Sequence, residues 1–417
     1  MFLIKHGGGV FLAALAFGGN AFAECTAGCA AEEALYLRRF QQLTDPRAGG
    51  GLPSYDPLEK VVGTARPMPL PAARRSDISA AAIAQAHDYA AARASSALLI
   101  WRAGRLEHEA YFGRFDRNTP IVSKSLAKPV TALLVGRAIA QGYIQSLDQP
   151  VADFIGEWRA DPLRSKITVR HLLDMRSGLL PQNSAPNASD ILNRAYLHPR
   201  HDEIIIREYP VTNTPGARYE YANANSELVA PLIERATGRR YSQYLSDALL
   251  VPIAAQGGEI WVNRPGGMAH AGCCLLLPAQ SWLRMAILLM NDGVWQGKRL
   301  LPKGYVSEMR AGTLANPYYG LGVWVAGRYV ARRGFAHPSI PVGKVLHSAP
   351  YLAGDLYLFD GNSNQVVYII PSQNLIILRT GDRPPDAKEW DNAFLPNLLI
   401  AAGNRKPSQL RSEPQAR

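Results

Sequence analysis

The chain has 417 residues, 47% of them hydrophobic, and a formal net charge of +11. That length and apolar content suit one large domain or two intimate ones around a sizeable core. The positive excess is mostly arginine, scattered in pairs such as Arg74-Arg75, Arg239-Arg240 and Arg332-Arg333 with no interleaved aromatic platform, which argues against a nucleic-acid partner and leaves solubility as its plainest role.

In chain order, residues 1–23 read as a secretory signal peptide. Lys5 and His6 make a short basic start, Val10 to Phe17 an apolar core, and Ala21-Phe22-Ala23 an A-x-A cleavage site. The expected product is secreted or periplasmic and begins at Glu24. The apolar run is too short to span a membrane, and no later stretch qualifies. Cys25, Cys29, Cys273 and Cys274 then allow three disulfide pairings, which the sequence leaves open. Residues 24–77 read as a loose leader, broken by Gly49-Gly50-Gly51 and by Pro53, Pro57, Pro67, Pro69 and Pro71. Ile78 to Ala92 is alanine-rich and reads as a helix. Ser96 to Trp101, a turn at Ala103-Gly104, and Leu106 to Phe112 read as a strand hairpin.

From about 125 to 290 the signals are mainly helical. Thr168 caps a helix over Val169 to Met175, Ser226 to Ala236 is stopped by Gly238, and Trp282 to Met290 ends at Asn291-Asp292-Gly293. Residues 181–210 have no clear period and are expected to form a substrate-facing loop. Strands are expected at Leu321 to Ala326, Leu356 to Asp360, Gln365 to Ile370 and Leu375 to Thr380, then a helix over Glu389 to Ile400 and a polar tail over 403–417. The implied fold is α/β (α+β): early strands pair with late ones, and a helical lobe is inserted between them, within one domain over residues 78–402.

The only S-x-x-K of the chain is Ser125-Leu126-Ala127-Lys128. On a helix these two side chains share a face one turn apart, and Pro129 places the pair near the helix start. A serine hydroxyl becomes a nucleophile when a base takes its proton, and a lysine in its amine form can do so. Tyr219-Glu220-Tyr221-Ala222-Asn223 follows a Pro215-Gly216 turn and enters a helix. There Tyr221 can pass a proton to a leaving group, and Asn223 can hold a substrate carbonyl or orient Lys128. Gly361-Asn362-Ser363-Asn364-Gln365 is a small polar turn feeding a strand, able to offer backbone amides that pair with the Ser125 amide as an oxyanion hole. Each stretch alone is also compatible with a plain helix face, capped turn or β-turn.

Taken together, the order S-x-x-K, Y-x-N, small polar turn resembles the serine β-lactamase and penicillin-binding superfamily. The class C β-lactamase-like branch is nearest, in particular 6-aminohexanoate-oligomer hydrolases and related esterases and D-amino-acid peptidases. Ile167 to Leu173 running to Ser177-Gly178-Leu179, and Gly297 to Pro302, also carry the resemblance. It implies an antiparallel sheet flanked by helices beside a helical lobe, with Ser125 as acylated nucleophile, Lys128 as base and Tyr221 as proton donor. Asn223, Asn362 and Gln365 would contact substrate, the Ser125 and Gln365 amides forming the oxyanion hole. The expected reaction is cleavage of a small-molecule amide or ester without metal or other cofactor. The chain departs from the β-lactam-active pattern at Asn362-Ser363-Asn364, where a K-T-G or H-x-G triad would stand. The cation that would grip a β-lactam carboxylate is missing there, and Asn364 replaces a glycine.

Other chemistries fit less well. There is no G-x-S-x-G. Gly293 to Lys298 is one residue short of a phosphate loop and is followed by Arg299. His198, His201 and Asp202 lack an evident third metal ligand and read as an exposed polar loop. A D,D-peptidase or weak β-lactamase, and a binding protein of the same fold without turnover, are the alternatives. Oligomeric state is not encoded in any readable pattern.

Overall fold

The computed structural model describes residues 27–45, 52, 54–183, 185–334 and 345–403. The signal peptide, Cys25, the triple glycine, Pro53 and the tail beyond 403 lie outside the described residues.

The leader is more regular than its prolines and glycines suggest. Helix α1 (Ala27–Thr44) precedes them, and strand β1 (Leu58–Val61) fits between Pro57 and Pro67. Arg39 fastens α1 to the body. Its buried guanidinium donates to the Leu197 and Asn263 carbonyls (both 3.0 Å) and to the Asp56 carbonyl (2.7 Å). Helix α2 (Ala80–Ala91), capped by Ser79, then leads into strands β2 (Ser95–Arg102) and β3 (Arg105–Tyr111), as the hairpin pattern predicts.

Strand β4 (Ile121–Val122), a 3₁₀ turn at Lys124–Ala127 and helix α3 (Lys128–Ala140) follow. The lobe continues with α4 (Val169–Leu173), α5 (Ile191–Leu197), α6 (His201–Arg207), α7 (Asn223–Glu227) and α8 (Val229–Thr237). Thr168 caps α4 in a reciprocal box: its side chain accepts from the His171 amide, and His171 Nδ1 accepts from the Thr168 amide, both at 3.3 Å. Residues 181–210, expected as a loop, contain α5 and α6. Each is seven residues long, too short to show a helical period, and Pro199 parts them. Strands β5 (Gly258–Trp261) and β6 (Leu275–Leu277) also lie in this mainly helical stretch. They join β1 and β4 in a four-stranded sheet of order β1-β5-β6-β4. Helix α9 (Ala279–Met290) leads out of the lobe.

The remaining strands are β7 (Trp324–Val325), β8 (Tyr357–Gly361), β9 (Gln365–Ile370) and β10 (Leu375–Gly381), closed by helix α10 (Phe394–Ala401). They complete a six-stranded antiparallel sheet of order β3-β2-β10-β9-β8-β7. The early strand β2 pairs with the late strand β10, Leu98 opposite Arg379 and Ile100 opposite Ile377. All eight residues of β2 and all six of β9 are buried, because the sheet is covered on both faces. One face packs on the α3 and α9 core, and the other on α2 and α10. The lobe therefore hangs from one face of a sheet whose edge, at β8, borders the serine turn.

Candidate active site

Ser125 sits in the 3₁₀ turn between β4 and α3, and Lys128 is the first residue of α3. The turn is held on its near side by Ser123, whose amide donates to the Leu275 carbonyl (2.9 Å) and whose hydroxyl accepts from the Leu275 amide (3.1 Å). On its far side β8 presses against it. A Cβ placed on Gly361 would lie 2.9 Å from both the Leu126 amide nitrogen and the Ser123 carbonyl oxygen. Only a glycine lets the strand end approach this closely.

Lys128 is buried, and its Nζ has three oxygen neighbours: Ser125 Oγ at 3.1 Å, Asn223 Oδ1 at 3.0 Å and the Gly272 carbonyl at 3.0 Å. The amide oxygen and the carbonyl are acceptors only. A neutral lysine amine would give its two hydrogens to these and turn its lone pair to the Ser125 hydroxyl. Asn223 opens α7 and is oriented by its own Nδ2, which donates to Gln182 Oε1 at 3.1 Å. The Tyr221 hydroxyl lies 3.2 Å from Ser125 Oγ, and its ring packs against Tyr319 with centroids 6.4 Å apart. Thus Ser125, Lys128, Tyr221 and Asn223, spread over about a hundred residues of sequence, converge on one hydroxyl.

A cavity of about 750 Å³ opens over that hydroxyl. Ser125, Tyr221, Asn223 and Gln182 wall it on the lobe side; Trp324, Asp360, Gly361 and Asn362 wall it on the sheet side. Asn362 is therefore placed as expected. Gln365 is not. It is buried, does not line the cavity, and its Nε2 donates to the Val122 carbonyl at 2.6 Å, tying β9 to the approach of the serine turn. The alternation along β9 explains the correction: Gln365 pairs with Gly361 as the first residue of the ladder, inside the sheet rather than at the turn tip. Of residues 181–210 the cavity takes only Gln182, so that segment is not the broad substrate-facing loop expected.

Four contributors escape the motif pattern. The Gly272 carbonyl is a backbone group. Gln182 acts through a contact 41 residues distant. Arg379 lies mid-strand and fully buried. Its guanidinium donates to the Ser363 carbonyl at 2.7 Å and the Asn364 carbonyl at 3.1 Å. These carbonyls follow the left-handed pair Ser363 (φ 67°) and Asn364 (φ 57°), so Arg379 clamps the turn from beneath. Asp360 hides in an apolar strand.

Behind Lys128, Glu227 ends α7 with its Oε2 3.6 Å from both His201 Nε2 and His270 Nδ1. All three are buried, so His201 is no part of an exposed loop as its sequence context suggests. Their ligand atoms lie close enough to consider a cation. However, the two imidazoles stack with centroids 4.0 Å apart and planes 14° from parallel. In-plane lone pairs of parallel rings do not converge on one ion, and the arrangement fits a carboxylate clamped by two histidines. Burial pushes the Glu227 carboxyl up, but the two imidazoles outweigh it and hold it at about 2. Burial pushes His270 down to about 3. The adjacent Cys273 and Cys274 are disulfide-bonded to each other, a pairing the sequence left open.

No helix among the described residues is long and apolar enough to cross a membrane. Among curated proteins, the chain is 26% identical over 229 residues to the 6-aminohexanoate-dimer hydrolase of Paenarthrobacter ureafaciens, covering 52% of this chain and 57% of that relative. It is 28% identical over 153 residues to the monacolin J acid methylbutanoyltransferase of Aspergillus terreus, covering 33% of this chain and 37% of the relative. The chain thus spans little more than half the length of the first and about a third of the second. Among solved structures, a Bacillus anthracis protein provisionally assigned as a 6-aminohexanoate-dimer hydrolase superposes with a TM-score of 0.62 at 18% identity, over 84% of this chain and 90% of that one. EstCE1, a hydrolase with promiscuous acyltransferase activity, superposes with a TM-score of 0.56 at 17% identity, over 78% and 97%. These likenesses confirm the fold expected from the sequence. The profile of the Beta-lactamase family matches residues 80–398, and the chain belongs to that family.

Proposed function

We propose that the protein is a serine hydrolase that cleaves an amide or ester bond through an acyl-enzyme on Ser125. The observation that carries this reading is the convergence of Lys128 Nζ and the Tyr221 hydroxyl on one serine oxygen, at 3.1 and 3.2 Å, in an open cavity. Family membership, and relatives named as an amide hydrolase and an esterase-like acyltransferase, support it.

In the proposed reaction Ser125 Oγ attacks the substrate carbonyl carbon while its proton passes to Lys128 Nζ. The backbone amides of Ser125 and Asn362 are the oxyanion donors in this reading, since both residues line the cavity where the strand end meets the turn. The tetrahedral adduct collapses as Tyr221 gives its phenolic proton to the departing nitrogen or oxygen. The Lys128 proton then returns to Tyr221. Water enters, attacks the acyl carbon by the same groups in reverse, and frees the acid. Export is a further part of the proposal, supported by the signal-like N-terminus and by the Cys273–Cys274 disulfide.

The test is intact mass after incubation with a fluorophosphonate, with mapping of the adduct. One adduct on Ser125, lost in Ser125→Ala and slowed at least a hundredfold in Lys128→Ala, is expected. An adduct elsewhere, or none, sinks the assignment and favours a binding protein of the same fold. Turnover of nitrocefin would favour the β-lactamase alternative.

A further inference from the structure

We propose that the cavity selects substrates carrying a protonated amine, which the Asp360 carboxylate holds beside the acylated serine. The inference rests on the Ser125 reading above and names its substrate class.

The argument starts from the charged groups of the lining. There are four: Arg333, Asp360, Arg383 and Glu389. Glu389 is paired with Arg332 at 2.6 Å, and Arg383 with Asp386 at 3.0 Å. Arg333 donates to the Val325 carbonyl at 2.8 Å and to the Ala326 carbonyl, and lies over the Tyr318 ring at 4.6 Å. Asp360 alone among them has no hydrogen bond and no ion pair within 4.0 Å among the described residues.

Its position is set by the strand. Along β8, Phe359 and Gly361 face the core and the serine turn, so Leu358 and Asp360 face the cavity. Asp360 is one residue from Gly361, which touches the turn that carries Ser125. A ligand in contact with the carboxyl therefore reaches the nucleophile within a short chain.

A carboxyl without a partner in a cleft is unfavourable as an anion until a ligand supplies opposite charge and hydrogen-bond donors. An ammonium group does both. Trp324, Trp390 and Tyr351 share the lining, and aromatic faces favour a cation and its alkyl chain. Burial pushes the Asp360 carboxyl up to about 7, against the pull of Arg333. The ionisable groups around it are Arg333, Tyr351 and Tyr368, with Glu389 and Arg383 in the same lining. A cation binds the ionised form, so its advantage is full above pH 7 and falls about tenfold per unit below it. The same carboxyl repels a substrate carboxylate, consistent with the absence of a K-T-G lysine on this strand.

The experiment measures protection of Ser125 from a fluorophosphonate by n-pentylamine and by pentan-1-ol at pH 8. In the wild-type chain the amine should protect at a concentration at least tenfold lower than the alcohol, and the ratio should shrink toward one at pH 6. Asp360→Asn should bring the ratio to about one at both pH values, and Asp360→Glu should keep part of it. Equal protection by amine and alcohol in a wild-type protein that labels at Ser125 overturns this proposal alone. So does a ratio that survives Asp360→Asn. Absence of the Ser125 adduct overturns the hydrolase reading and this proposal with it.

Discussion

Gly272→Ala tests whether the Gly272 carbonyl holds Lys128 in place. Gly272 does not occupy the left-handed region, so alanine is compatible with its backbone; the conflict is one of space. A Cβ there would lie 2.8 Å from Glu227 Oε1 and 2.9 Å from Ser226 Cβ. Ordinary contact begins at 3.4 Å, leaving a shortfall of 3.4 − 2.8 = 0.6 Å. Glu227 cannot swing away, because His201 and His270 clamp its other oxygen at 3.6 Å and all three are buried. The strand segment must therefore retreat, and a similar shift lengthens the 3.0 Å contact between Lys128 Nζ and the carbonyl beyond hydrogen-bonding range. Overpacking of this kind costs about 1–3 kcal/mol of stability. Loss of one bond to an amine that must be oriented removes roughly 1.5–3 kcal/mol from acylation, or on the order of 10- to 150-fold in rate. The assay is the rate of fluorophosphonate labelling at Ser125, read by mass, alongside a thermal melt. Gly354→Ala is the control, since nothing lies within 4 Å of a Cβ at that position. A folded Gly272→Ala protein that labels at the wild-type rate would refute the role given to this carbonyl.

Tyr221→Phe should separate leaving groups. Anilide turnover, which needs a proton delivered to nitrogen, is expected to fall at least about a hundredfold, whereas p-nitrophenyl ester turnover falls by no more than about tenfold; equal losses would remove Tyr221 as proton donor. Acid should destabilise the fold well above the carboxylate range. Burial holds His171 and His347 at about 4 and His270 at about 3, and His171 Nδ1 accepts from the Thr168 amide, which requires the neutral ring. The folded values lie below that of an unfolded histidine, about 6.5. The unfolded chain therefore binds more protons as pH falls from 6.5 toward 4, so the stability is fully present above 6.5 and is lost across that window. Glu227, depressed to about 2, adds a loss in the same direction below about 4.5. The urea midpoint should fall from pH 7.5 to pH 5, by about 1 kcal/mol per histidine per unit; an unchanged midpoint would contradict the neutral buried rings.

The catalytic side chains were legible because each is a rare residue type in a tight local pattern. Ser125 and Lys128 are three apart, and Tyr221 and Asn223 two apart, so local geometry alone puts each pair on one side of an element. The sheet was legible because strands buried on both faces, such as Val366 to Ile370 and Ile376 to Leu378, are continuous apolar runs. What could not be read is whatever depends on distant contact. Helix α1 is held by Arg39 through carbonyls far along the chain. Strands β5 and β6 are four and three residues long and take their form from their partners. Gln365 looked like a turn residue and is a strand residue, because the left-handed pair Ser363-Asn364 closes the turn before it.

The arrangement divides the labour between the two halves. Every group within hydrogen-bonding distance of Lys128 Nζ comes from the lobe: the serine turn, the start of α7, and the Gly272 segment that leads into β6. The sheet edge contributes Asp360, Gly361 and Asn362, which wall the cavity. Changes in the lobe should therefore alter whether Ser125 is acylated by anything at all. Changes along β8 should alter which molecule is presented to it. The two meet only where Gly361 presses on the serine turn, so a family that keeps this glycine can vary the residue before it, and with it the charge of the substrate, without disturbing the nucleophile.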